Sequence, residues 1–171
     1  MDSGDQDRRT RRARSLAAAS LAAVAALALA TGASAGTVRA VNLTPAEQAF
    51  VKQYKVLIPA LDKASTAVIN AVKNAGSDSD AQVVTVFTAV AKHWASATKP
   101  LLALTAPSPV AAIFATITAE VPRVEADLLR IANTGRTHNV SAATKAGRKI
   151  AIDFNALGVA VGQLKKKLGL P

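Results

Sequence analysis

VSAATKAGRKIAIDFNALGVAVGQLKKKLGL, residues 140–170, is the stretch that decides the fold of this chain. Within it Ile150, Phe154, Leu157, Val161, Leu164 and Leu168 recur at alternating spacings of four and three. At about 100° per residue, that spacing brings all six to one side of an α-helix. A helix with a single apolar stripe owes its stability to whatever covers that stripe, so the rest of the chain must supply covering elements. Three earlier segments carry stripes of the same kind.

The first begins at Thr44-Pro45-Ala46-Glu47. There the Thr hydroxyl can accept from a free backbone N–H, Pro suits the first turn, and Glu47 can reach back to the cap. Phe50, Tyr54, Leu57, Leu61, Ala64, Val68 and Val72 form its stripe, and Gly76 is placed to end it in a positive-φ conformation, which predicts a helix over Pro45 to Ala75. Ser79-Asp80-Ala81-Gln82 is a second capping box, followed by Val83, Phe87, Val90, Trp94, Ala97, Leu101 and Leu104. Ala106-Pro107-Ser108-Pro109 breaks that second helix, with Ser108 as a candidate cap and Pro109 at the first helical position. The third stripe is Val110, Phe114, Ile117, Val121, Val124, Leu128 and Ile131, with Gly135 marking its stop and Arg136 to Asn139 as the loop into the fourth helix. Gly169 and Pro171 terminate the chain's last helix.

Pro59, Pro100 and Pro122 fall inside these patterns. Each removes one N–H and crowds the carbonyl four residues back, so a kink is expected at each. A full break is disfavoured because the apolar register continues unchanged across all three. Four stripes of similar length joined by short loops predict an all-α fold, an antiparallel up-down four-helix bundle with proline-kinked helices crossing near roughly 20°. The large core fillers are Phe50, Tyr54, Phe87, Trp94, Phe114 and Phe154, and the many Ala residues let the helices approach closely.

Ahead of the bundle, Arg8, Arg9, Arg11, Arg12 and Arg14 precede an uncharged run from Ser15 to Val38 with an apolar core from Leu16 to Ala30. That is the layout of a secretory signal peptide, and Ala33-Ser34-Ala35 offers the small residues a signal peptidase accepts. Cleavage is expected between Ala35 and Gly36. The fifteen residues from Leu16 to Ala30, many of them Ala, fall short of the roughly 20 apolar residues of a membrane span. Residues 36–43 have no helical start signal and are expected to be an extended leader, with residues 44–171 as one domain. With no Cys, the domain has no disulfide framework and must be stabilised by packing.

The whole chain has 21 basic and 11 acidic residues. Export would remove five Arg and three Asp and leave a net charge of +8. That charge is concentrated at one end. Residues 36–129 are nearly neutral, whereas residues 130–171 hold eight basic residues and only Asp153.

The Arg-then-Ala leader, the Trp-containing second helix running into Pro100 to Leu104, the Pro107 and Pro109 joint and the terminal Leu168 to Pro171 together resemble small exported helical proteins of high-GC Gram-positive bacteria. The resemblance implies export and an all-helical fold, and carries over no functional residue.

Motifs for chemistry are missing. His93 and His138 have no His, Glu or Asp partner at helical spacing, so the sequence offers no metal or haem ligand set, and His93 reads as a boundary residue beside Trp94. Glu47, Glu120 and Glu125 fall off the predicted stripes, which excludes a di-iron bundle. There is no Gly-x-Ser-x-Gly, no nucleophilic Cys and no acidic pair placed around a cleft, so no cofactor is called for and the chain is expected not to be an enzyme. Glu120, Arg123, Glu125, Asp127 and Arg130 read as a solvated charged face of the third helix, with Arg123 and Asp127 four apart. Gly147, Gly158 and Gly162 form no phosphate loop and read as close-packing positions. Asn42-Leu43-Thr44 and Asn139-Val140-Ser141 match glycosylation acceptors, discounted because the leader reads as bacterial.

What remains is the basic face of the last helix. Rotating about 100° per residue from Ile150, Lys145, Arg148, Ile152, Val159 and Lys166 fall opposite the core stripe. With Lys149 and Lys165 to Lys167 they form a candidate partner-binding surface: Lys145, Arg148, Lys149, Ile152, Val159, Lys165, Lys166 and Lys167. Such a face suits an anionic partner, whether phospholipid headgroups at a peripheral membrane contact, an acidic cell-wall polymer or an acidic protein. The plainer account is a solvated face whose terminal lysines complement the helix dipole. Nucleic acid is disfavoured, since export separates the protein from it and no aromatic interleaves the basic residues. The alternative function is a carrier of a small apolar ligand held near Trp94, Phe114 and Phe154.

Overall fold

The computed structural model describes residues 42–171. The expected signal peptide, its cleavage point and the leader up to residue 41 lie outside the described residues. Among the described residues the chain is all-helical and contains no strand. Four helices pack together: α1 (Pro45–Asn74), α2 (Asp80–Leu102), α3 (Ala111–Thr137) and α4 (Val140–Leu168), with a single 3-10 turn at Ser108–Val110 leading into α3.

Local chemistry sets three of the four starts. Thr44 Oγ1 accepts from the Glu47 N–H, while the Glu47 carboxylate accepts from the Thr44 N–H at 2.8 Å. The same reciprocal box joins Ser79 and Gln82 at the start of α2. At α4, Asn139 Oδ1 accepts from the Ala142 N–H at 2.9 Å. The start of α3 differs from expectation. Pro107, not Ser108, precedes the turn, no side chain caps it, and the α-helix proper begins only at Ala111. Pro107 is extended and Pro109 lies inside the 3-10 turn, where its fixed φ is tolerated, so the chain enters α3 by a tight turn and not by a side-chain cap.

Helix ends were less predictable. Gly169 has φ 63° and lies between the Leu170 N–H bond to the Lys165 carbonyl and the Gly169 N–H bond to the Lys166 carbonyl, the Schellman closure expected of a terminal Gly. Gly76 takes no positive φ, because α1 closes on Ala75 in right-handed geometry. Gly135 does not stop α3 either. The helix passes through it to Thr137, and His138 takes the left-handed position at φ 49°. A Cβ on Gly135 would sit 2.7 Å from the Asp80 carbonyl oxygen and 3.0 Å from Val84 Cγ2, so this glycine is there to let α2 approach, not to end a helix. α2 ends at Leu102, two residues short of the last residue of its stripe.

All three internal prolines leave their helices unbroken, and all three are exposed. Facing solvent, the carbonyls they free at Lys55, Ser96 and Thr118 can turn to water, which is why the register survives.

The six aromatic residues are all buried in one core. Phe50 stacks on Tyr54 and meets Phe114 edge-on at 5.3 Å, joining α1 to α3; Trp94 meets Phe154 at 5.9 Å, joining α2 to α4. The Trp94 indole N–H donates to the Val121 carbonyl at 3.0 Å, which satisfies its one polar group inside the core. Helix α3 packs extensively on both α2 and α4, and α1 packs along α2 but scarcely touches α4. Half-burial of Leu57, Leu61 and Val161, all expected in the core, accompanies that thin seam.

Candidate functional site

The candidate surface lies on α4, whose inner stripe of Ile150, Phe154, Leu157, Leu164 and Leu168 is buried. Packing that stripe fixes the helix's rotation, so the opposite line must face outward. Lys145, Arg148, Ile152, Asn155, Val159, Gly162 and Lys166 occupy that line at spacings of three and four, and every one is exposed. Ile152 is 67% exposed and Val159 54%, values that mark them as aliphatic side chains with no cover.

The remaining residues of the predicted surface divide. Lys149 reaches sideways and donates to Asp153 Oδ2 at 2.6 Å, so its charge is committed to a carboxylate on its own helix. Lys165 is half-buried. Lys167 is exposed and close enough to Glu47 to help hold that carboxyl below its ordinary range, the larger causes being the hydrogen bonds from the Thr44 N–H and hydroxyl. Only Lys145, Arg148, Ile152, Val159 and Lys166 remain as one continuous outward line. Gly162 corrects an expectation, because an added Cβ there would meet nothing within 4 Å. It packs against nothing in this fold, unlike Gly147, which is buried.

The charged face read on α3 is also corrected. Glu120 and Asp127 are buried, not solvated, at 8% and 1% exposure. With Thr134 they recur every seven residues on α3, and Ala146, Asp153 and Ala160 recur every seven on α4; all six are buried. The ion pairs are Arg123–Glu120 and Arg130–Asp127, three residues apart, and not the expected Arg123–Asp127.

Asp127 and Asp153 meet between α3 and α4, which makes an acidic pair where the sequence offered none. Burial raises the Asp127 pKa above its ordinary value, and the Asp153 charge raises it further, against the opposing pull of Lys149 and Arg130. Asp127 Oδ2 and Glu120 Oε2 are buried with no hydrogen-bond partner. Two carboxylates flanked by two cations do not make a cation site, and no group of three or more metal-ligating side chains occurs among the described residues. Spacing could have raised the Asp127–Asp153 pairing only if the facing of α3 on α4 had been known.

This arrangement changes the electrostatics of the exterior. Four of the eight acidic residues in the described chain, Glu47, Glu120, Asp127 and Asp153, are buried, and none of its fifteen Lys and Arg residues is. The surface is therefore more basic than the net charge implies. On α4 the sole carboxylate is the buried Asp153, so the outward line carries no acid.

A cleft of about 330 Å³ opens at the end of the molecule opposite Lys165 to Lys167, where α2 and α4 begin and α3 ends. Val83, Ile131, Val140, Asp78, Asp80 and His138 are among its lining residues. His138 Nδ1 and Asp80 Oδ2 pair there at 2.5 Å, which ties the end of α3 to the start of α2. His138 is thus an interhelical tie as well as a loop residue, while His93 is exposed beside buried Trp94. Comparison with protein-family models, with curated proteins and with solved structures finds no match to this chain.

Proposed function

We propose that this chain is an exported, non-enzymatic, up-down four-helix bundle that binds an anionic component of the cell envelope through the outward line of α4. The observation that carries the reading is the acid-free line of Lys145, Arg148, Ile152, Val159 and Lys166, with its two aliphatic residues uncovered. Ile152 and Val159 are the most exposed large aliphatic residues of α4 and stand two turns apart on that line, between its basic ends. The up-down path is supported by the end of α3 lying against the start of α2, Gly135 beside Asp80, and by Lys167 at the end of α4 acting on the charge of Glu47 at the start of α1. Export rests on the residues 1–35 pattern and, more loosely, on the resemblance to exported helical proteins.

The alternative, a carrier holding a small apolar ligand among Trp94, Phe114 and Phe154, gains no support, because those rings pack on one another or on Phe50. Salt-dependent retention on an immobilised polyanion tests the main reading. The full chain should be retained at low salt and released as ionic strength rises, and K145Q/R148Q/K166Q should elute markedly earlier. Elution of the triple variant with the unmodified chain would sink it. Sequencing the N-terminus of protein recovered outside the cell should begin at Gly36, and an intact Met1 would refute cleavage.

A further inference from the structure

We infer that the anionic partner is the surface of a lipid bilayer, with α4 lying along it, Ile152 and Val159 entering the headgroup layer, and Lys145, Arg148 and Lys166 on the lipid phosphates. This rests on the reading of the α4 line as an anion-binding face and goes further by naming what lies against it.

Three features select a bilayer from among anionic partners. The first is the order of residues along the line. Basic Lys145 and Arg148 stand at one end and Lys166 at the other, roughly 30 Å away, with Ile152 and Val159 in the middle two turns apart. A polyanion in water gains nothing from the two aliphatic groups, whereas a bilayer takes up apolar side chains at the acyl boundary while basic ones stay with the phosphates.

The second feature is shape. The line is the outer surface of one helix and is therefore convex, with Gly162 leaving an open gap in it. Protein partners find their binding energy in well-packed pockets over an area of about 800 Å² a side, which a single convex ridge does not supply. A bilayer surface is broad and yields around protruding side chains.

The third is depth. The inner face of α4 is consumed by the core, and among the described residues no helix is long and apolar enough to cross a membrane. Only the outer line is available, so the contact is shallow. It also meets no repulsion, since Asp153 is buried and paired with Lys149.

The test is flotation of the full chain with phosphatidylglycerol-containing vesicles and with pure phosphatidylcholine vesicles, beside retention on immobilised polyphosphate. Each variant is compared with the unmodified chain, so that any contribution of residues 1–35 is common to both. I152S/V159S should weaken binding to the anionic vesicles by about tenfold and leave polyphosphate retention unchanged. K145Q/R148Q/K166Q should weaken both, by about fivefold per residue on the vesicles. V56S removes a still more exposed aliphatic residue from α1 and should change neither. Since all these residues are exposed, matched thermal unfolding of the variants shows that the fold is intact. Vesicle binding that is indifferent to I152S/V159S, or weakened as much by V56S, overturns the inference. Salt-sensitive retention on polyphosphate without preference for anionic vesicles would also overturn it, yet leave the anionic-partner reading standing; failure on both supports would end both.

Discussion

Helices α3 and α4 both carry charge through their middles, and the fold treats the two signs oppositely. On α3, Glu120 and Asp127 are buried, Asp127 against Asp153 of α4, and both are neutralised from the rim by Arg123 and Arg130, whose side chains stay half-exposed. On α4, Asp153 turns inward while Lys145, Arg148 and Lys166 turn out. A carboxylate sits on a short stem and goes wherever its Cα goes, whereas Lys and Arg can bury their stems and keep the charge in water. Sorting charges by reach in this way hides the acids and displays the bases. The two glycines repeat the contrast, with Gly135 of α3 pressed against the α2 backbone and Gly162 of α4 facing open space.

That contrast can be broken in four ways. The largest effect is expected from Gly135→Ala, whose Cβ would collide with the Asp80 carbonyl and force α2 and α3 apart. It should cost about 2 kcal/mol in denaturant unfolding, and a cost near zero would mean the helices are not held this closely.

Next comes Asp127→Asn, which removes a buried charge and offers Asp153 an amide donor. It should stabilise by about 1 kcal/mol at neutral pH, because the cost of burying the carboxylate charge exceeds what its pair with the half-exposed Arg130 returns. The sign follows from the raised Asp127 pKa. The folded state holds that proton more tightly than the unfolded chain, so this group stabilises fully below the ordinary carboxyl value of 3.8 and the benefit is lost as pH rises through the folded value. Because the lowered Glu47 value pulls the other way, urea titrations across that acid range should show stability changing with rising pH less favourably in the unmodified chain than in the Asn variant; identical slopes would refute it.

Gly162→Ala should do the reverse of Gly135→Ala and stabilise by about 0.5–1 kcal/mol, because Ala restrains the helix and nothing stands in the way of its methyl. It should not alter vesicle binding. A loss of binding would instead point to a partner backbone seated on that gap. The smallest expected change in stability is for K145Q/R148Q/K166Q, within about 0.5 kcal/mol, since these residues have no carboxylate partner among the described residues. A larger loss in thermal unfolding would show that the basic line stabilises the fold and is not reserved for a partner.

Much of this was legible beforehand where the cause is local. The boxes at Thr44–Glu47 and Ser79–Gln82 formed as expected because each is closed by residues three apart, with no need of a tertiary partner. The outward line of α4 followed from a rotation of about 100° per residue once its core stripe was known. The end of α3 was not legible, because a Gly followed by polar residues looks like a stop until α2 is seen to lean on it. Nor was the burial of Asp127, since helical periodicity says which residues share a face and not which neighbour covers the flank. The pairing of Lys149 was hidden for the same reason: Asp153 lies four residues on, yet whether that carboxylate faces water or α3 depends on the packing.

The sequence by itself determined the four helices, the capping boxes that start α1 and α2, the Gly169 end of α4, the residues of the aromatic core and the line of α4 that faces outward, all consequences of periodicity and short-range hydrogen bonding. Only the tertiary structure decided which charges were hidden, which glycine was needed for close approach and where His138 was tied, because each depends on how close a second helix comes, and backbone geometry along one chain segment carries no information about that distance.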